Sequence, residues 1–232
     1  MIIQGTNIIG GTVADSYITK QNLAIWIDAN NSSSYSGTGI AITDLSGNGR
    51  TQNLATAAQF VTVGGAKCFD CSTTNAIAAA SIGPTLPTTG FTYIVWARMI
   101  ASFSNFRTLF RCSPNDHPLL INVGTNDLGM WDNTVNTFYS SGYSVAGLAN
   151  TWIQWAVTGD ASGQTFYING RQVGVVTAQT AAGNNHNITG NVGLSSGSQP
   201  FGYIGNMFLY TAKLSQLQIQ QNWGAYKSVF GV

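Results

Sequence analysis

The stretch Gln164–Val176 reads QTFYINGRQVGVV. A β-rich run stops at Asn169-Gly170, and a second apolar run begins directly after it. Asn-Gly between two such runs is the strongest short hairpin signal, because a two-residue type I′ turn needs φ > 0 at both central positions. Upstream, WIQWAVTGD (Trp152–Asp160) leads through ASG into the same stretch. Three strands in a meander follow, and with them an antiparallel sheet that folds back on itself.

The pattern extends in both directions. LAIWID (Leu23–Asp28) reads as the first strand of the body, and GYIGNMFLY (Gly202–Tyr210) as the last. Between them lie AQFVTVG, the segment around Lys67 to Asp70, RTLFRC, PLLINVG and LGMWD, separated by Gly, Asn and Pro. FTYIVWARMI (Phe91–Ile100) is apolar in both phases, as a strand covered on both faces must be. ANNSSSYSGTG is a Ser/Gly loop, and DLSGNGR (Asp44–Arg50) has the glycines and Asn of a turn.

TAKLSQLQIQQNWGAY predicts one short helix. Ser215 is its N-cap and Gln218 its N3 partner, a capping box, with Leu214 and Ile219 placed for a hydrophobic staple. Leu217, Ile219, Trp223 and Tyr226 would form a partly apolar face, and Gly224 suits termination. More than ten short strands with turn signals predict an all-β fold. Its expected form is an antiparallel two-sheet jelly-roll β-sandwich with one short C-terminal helix. Residues 22–232 form that domain. Residues 1–21 read as an N-terminal arm outside the main core.

Charged residues make up only 7% of the chain and the formal net charge is +1. A charged stripe for nucleic acid is therefore not expected. No window is apolar for the roughly 18 residues of a membrane helix, and the N-terminus lacks the basic and apolar regions of a signal peptide. The surface must be built from Ser, Thr, Asn, Gln and Gly, which suits a component of a large assembly and equally a secreted or lectin-like surface. Cys68, Cys71 and Cys112 are an odd set, so a disulfide scaffold is not expected. Cys68-x-x-Cys71 lacks the further ligands of a zinc site and reads as buried thiols.

Taken in order, several pieces resemble laminin-G-like domains of the concanavalin A-like lectin/glucanase superfamily. They are LAIWIDANNSSSYSGTG with DLSGNG, then FTYIVWARM, WIQWAVTGD, FYINGRQVG, and FGYIGNMFLYTAKLS with the helix after it. The resemblance covers residues 22 to 230 and implies two antiparallel sheets packed face to face, one of them concave. The opening and the ending are similar in style to domains of phage virion proteins.

The superfamily's glucanases use paired Glu residues. This chain has no Glu, and its eight carboxylates are Asp, with Asp127 and Asp132 the closest pair in sequence. Two carboxyls set about 5 to 9.5 Å apart are needed for glycoside hydrolysis, so no catalysis is expected. His117 (NDHPLL) and His186 (GNNHNITG) read as solvated loop residues. Asp44 and Asn48 could contribute to a calcium site, as some laminin-G-like domains do, or Asp44 could cap backbone N–H groups within its own turn. Among sugar-binding candidates, GMWDNTVNTFYSSGY (Gly129–Tyr143) sets aromatics beside amides: Trp131, Asp132, Asn133, Asn136, Tyr139 and Tyr143. In the arm, Ile2, Ile3, Ile8, Ile9 and Val13 could anchor on another subunit by adding a strand to a sheet edge.

The expected function is a non-enzymatic virion structural protein, a phage capsid decoration protein with weak adhesion to host polysaccharide. Its partners would be capsid or other virion proteins, or further copies of itself. It would be made in the host cytoplasm and sit on the virion surface. The alternative is a carbohydrate-binding receptor-recognition module of a tail fibre or appendage.

Overall fold

The computed structural model describes residues 17–73, 81–86, 89–101, 106–110, 112–113, 117–122, 124–177, 186–189 and 199–232; for 81–86, 112–113 and 186–189 only the backbone is described. The expected arm anchors Ile2, Ile3, Ile8, Ile9 and Val13 lie outside these residues.

In chain order the strands are β1 (Leu23–Asp28), β2 (Ala41–Ile42), β3 (Gln52–Asn53), β4 (Phe60–Val63), β5 (Ala66–Cys71) and β6 (Ser81–Leu86). Next come β7 (Phe91–Met99), β8 (Arg107–Phe110), β9 (Cys112–Ser113), β10 (His117–Asn122), β11 (Asp127–Asp132) and β12 (Thr137–Ser144). The last are β13 (Trp152–Asp160), β14 (Gly163–Ile168), β15 (Arg171–Val176), β16 (His186–Thr189) and β17 (Gly202–Tyr210), before helix α1 (Gln216–Tyr226). An eight-stranded antiparallel sheet runs β15-β14-β13-β7-β17-β5-β4, with β1 also paired to β17. A second sheet runs β12-β11-β10-β8, and β6-β16-β9 and β2-β3 form smaller ones.

The hairpin at Asn169-Gly170 forms as expected: φ is +50° and +77°, and Ile168 pairs directly with Arg171. It also lies beneath α1, since a Cβ at Gly170 would come within 3.2 Å of Gln220 and 3.4 Å of Trp223.

Two cores explain why the long strands are apolar in both phases. Between the two main sheets, Tyr93, Val95, Trp155, Val157 and Phe166 meet Leu119, Ile121, Leu128 and Met130. On the opposite face of the large sheet, Trp26, Ile94, Trp96, Trp152 and Phe208 meet Ile219 and Tyr226 of α1 and Phe230 beyond it. Successive strand side chains point to opposite faces, so β7 serves both cores. Phe230 stacks on Trp96 with centroids 4.6 Å apart, and this needs Gly205, whose Cβ would fall 2.3 Å from the Phe230 ring.

The capping box of α1 forms, with Ser215 Oγ accepting from Gln218 N and Ser215 N donating to Gln218 Oε1. Two helix expectations need correction. Leu217 is 76% exposed, because the buried positions are Ile219, Asn222 and Tyr226 and Leu217 sits about 200° around the helix from Ile219. Gly224 does not end the helix, which continues to Tyr226 with Lys227 as C-cap. Asn222 is buried because it bridges: its Oδ1 accepts from Thr19 N and its Nδ2 donates to Tyr210 Oη. Residues 17–21, the end of the expected arm, pack against the body here, with Ile18 and Thr19 buried.

Candidate functional site

Hairpin β11–β12 carries the expected sugar-binding residues. Strand alternation divides them. Trp131 pairs with Phe138, whereas Met130 pairs with Tyr139, so the two pairs point to opposite faces of the small sheet. Met130 lies in the inter-sheet core, and Tyr139 and Tyr143 pack against it. Asp132 is buried, and its Oδ1 accepts from Thr134 N at 2.6 Å and Val135 N at 3.4 Å. It caps the turn rather than facing outward. Tyr143 reaches a different groove, of about 600 Å³, shared with Leu148, Ile153, Ile168 and Arg171. Trp131, Asn133 and Asn136 remain together, and the single platform expected from sequence reduces to these three.

They line a cleft of about 220 Å³ with Phe106, His117, Leu120 and Gln199. Trp131 is half-buried, and its Nε1 donates to Asn133 Oδ1 at 3.3 Å. Phe106 leans on Trp131 with centroids 5.2 Å apart, and on Phe138 at 6.3 Å. The Phe138 ring in turn covers Gly129. Asn136 holds φ +52° in the turn, a left-handed conformation that Asn tolerates.

His117 is a correction. It is not a solvated loop residue: it opens β10, is buried, and pairs in register with Trp131. The following Pro118 reads as a breaker, yet the register shifts between His117 and Leu120, and a bulge is where a strand accepts Pro. His186 is likewise not in a loop; it opens β16. Thr108 Oγ1 lies 3.0 Å from His117 Nδ1 and donates to Gln199 Oε1 at 2.7 Å. Thr108 Oγ1 thus links the His117 ring to the Gln199 amide. Phe106, Leu120 and Gln199 carry no local signal in the sequence; the fold brings them to Trp131 from distant positions.

Asp44 and Asn48 adopt the turn geometry. Asp44 Oδ1 accepts from Trp26 N and Ser46 N, and Oδ2 from Ser46 Oγ and Arg50 N, all at 2.8–3.0 Å. That fills the roughly four lone-pair positions of a carboxylate. Asn48 Nδ2 donates to Leu23 O and Ala24 O. The loop therefore covers the edge of β1 left open by β17, and a cation would have to displace these donors. Among the described residues no group of three or more His, Cys, Asp or Glu could hold a metal.

Asp127 and Asp132 stand at opposite ends of β11, about 17 Å apart at the usual rise per residue. Asp127 Oδ2 accepts from Ser140, Asp28 Oδ2 from Tyr226, and Asp160 Oδ2 from Lys213. Cys68 and Cys71, three apart on β5, serve opposite cores. About 10 Å of strand separates them, beyond the roughly 7 Å a disulfide can span. Burial, reinforced by Asp70, pushes the Cys68 thiol up to about 12.

With the sandwich and its cleft in place, comparison with known proteins decides the family. A family model described as the concanavalin A-like lectin/glucanases superfamily matches residues 71–220. The chain belongs to that superfamily. No curated protein sequence matches it significantly. Among solved structures it is similar to Trypanosoma rangeli sialidase in complex with sialic acid, at 11% identity and TM-score 0.61, over 91% of this chain and 34% of that one. It is also similar to the binding domain of Paraclostridial Mosquitocidal Protein 1, at 17% identity and TM-score 0.63, over 89% of this chain and 53% of that one. A third is the binding domain of botulinum neurotoxin DC in complex with SialylT, at 14% identity and TM-score 0.57, over 89% and 52%. Identities this low establish a shared fold alone. The superfamily chain spans about a third of the sialidase and about half of each binding domain.

Proposed function

We propose that this chain is a non-catalytic carbohydrate-binding domain carried on the surface of a phage particle. The cleft at the β11–β12 turn carries the first half. A half-exposed indole beside Phe106 offers an apolar face, and Asn133, Asn136 and Gln199 offer amides around it. Ligand sites combine an apolar surface with a few placed polar groups in this way. Two of the similar structures, a sialidase and a toxin binding domain, hold sialyl ligands by their titles, which supports a saccharide as the ligand class.

The non-catalytic half is supported by the missing Glu and by the separation of Asp127 from Asp132, too long for a glycosidase pair. Placement on a virion is supported by the sparsely charged composition and the resemblance in style. In the decoration reading, many copies bind capsid proteins through the arm and gain avidity for host polysaccharide from their number. In the appendage reading, a few copies recognise a receptor glycan through the cleft.

The test has two arms. Trp131→Ala should abolish retention on host surface polysaccharide while the fold survives; unchanged retention contradicts the site. Quantitative mass spectrometry of separated heads and tails decides the setting. Many copies on heads support decoration, a few on tails support the appendage, and absence from both contradicts the virion placement.

A further inference from the structure

We infer that the cleft beside Trp131 takes an uncharged saccharide, and that a hydrogen-bond relay centred on Thr108 sets the polarity with which it is read. The inference rests on the glycan-binding reading above and names its ligand class.

No Lys, Arg, Asp or Glu lines the cleft among the described residues. Asp132, the neighbour of Trp131, is buried and turned to its own backbone. Among the described residues a sialyl or uronic carboxylate would meet no Lys or Arg here, only His117, which is buried with Nδ1 turned to Thr108, and a poorly paired charge in such a place is costly. Hydroxyls and acetamido groups carry no such cost, and carboxamides match them because each holds both a donor and an acceptor.

The relay then removes that ambiguity at one end. Thr108 is fully buried and spends its only proton on Gln199 Oε1. That bond turns Gln199 Oε1 toward Thr108 and the amide Nε2 away from it, so Nε2 is the donor Gln199 presents to an accepting sugar oxygen. At the other end Asn133 Oδ1 receives the Trp131 indole proton, which ties the second amide to the stacking ring. Polarity on both sides of the aromatic face is set by protein contacts made before any ligand arrives, and such pre-organisation lowers the cost of binding.

The experiment uses the whole chain against neutral oligosaccharides of glucose, galactose, mannose and N-acetylglucosamine, each beside a sialylated or uronic counterpart. Titrations run from low salt to about 1 M NaCl, where the Debye length is about 3 Å. The inference expects binding to a neutral member, at least about tenfold weaker binding of its acidic counterpart, and affinity changing less than about twofold with salt. Gln199→Glu keeps an acceptor for Thr108 but replaces the N–H with a carboxylate oxygen; it should cost at least about tenfold. Preference for the acidic member, or binding that salt weakens strongly, overturns the inference and leaves the glycan reading standing. Binding to no saccharide, or binding untouched by Trp131→Ala, overturns both.

Discussion

Asn169 grips Gln154 twice: its backbone N donates to Gln154 O and its side-chain Oδ1 accepts from Gln154 N, each at 2.9 Å. The turn residue that makes the hairpin legible in the sequence thus also extends the β13 ladder past its last paired residue. Asn169→Ala loses one of these bonds and strains a residue at φ +50°. Destabilisation of about 2 kcal/mol follows, a fall of roughly 4–8 °C in a chain of this length. Asn169→Gly keeps the turn and should lose less. Thermal unfolding followed by circular dichroism compares the two.

Asp44 binds the edge of β1 through Trp26 N and closes its own loop through Ser46 and Arg50. Asp44→Ala strands these N–H groups, at about 1–3 kcal/mol for each that stays dry. Denaturant midpoints should fall accordingly. Adding calcium or a chelator should leave the wild-type melting temperature unchanged, whereas a stabilising shift with calcium would show that the carboxylate prefers a cation to its turn.

Lys213 and Asp160 form an ion pair at 2.7 Å that ties the β13–β14 turn to the segment before α1. The hydrogen bond from Lys213, with help from Ser162, holds the Asp160 carboxyl down at about 2, against an ordinary 3.8. A carboxyl depressed by folding stabilises the fold above its unfolded pKa and loses that contribution as pH falls through the folded one. The pair therefore acts fully above about pH 4 and fades toward pH 2. Asp160→Asn should flatten stability against pH in that window and leave the slope at neutral pH unchanged.

Gly129 sits where no side chain fits: a Cβ would fall 2.3 Å from Tyr139 O and 2.6 Å from the Phe138 ring. Gly129→Ala should push Phe138 off the strand and with it Phe106, which leans on both Phe138 and Trp131. Overpacking of this kind costs about 1–3 kcal/mol. The variant should also weaken glycan binding at temperatures where it remains folded. Isothermal titration beside a melting curve separates the two effects.

Much of the fold was legible because its signals are local. Asn169-Gly170 names its turn, Ser215 and Gln218 name the helix start, and the two-phase apolar run of β7 states that both faces are covered. The site was legible only in part. Trp131, Asn133 and Asn136 were readable beside one another, but alternation within β12 sends Tyr139 and Tyr143 to the core side, and the register of a hairpin is set by pairing rather than by composition. The loop reading of His117 fails because the bulge that lets β10 accept Pro118 depends on pairing with both neighbouring strands. Gln199 reaches the cleft through Thr108, some ninety positions earlier, a contact that no window along the chain contains.

The most direct test is the indole N–H region of a two-dimensional NMR spectrum, recorded as neutral oligosaccharide is added. The chain has six tryptophans, and Trp131→Phe assigns the relevant signal. The account predicts that the Trp131 indole, which donates to Asn133, shifts progressively while the buried Trp26, Trp96, Trp152 and Trp155 signals stay in place. A saturable shift confined to the other tryptophans would put the binding site elsewhere on the sandwich and contradict the account.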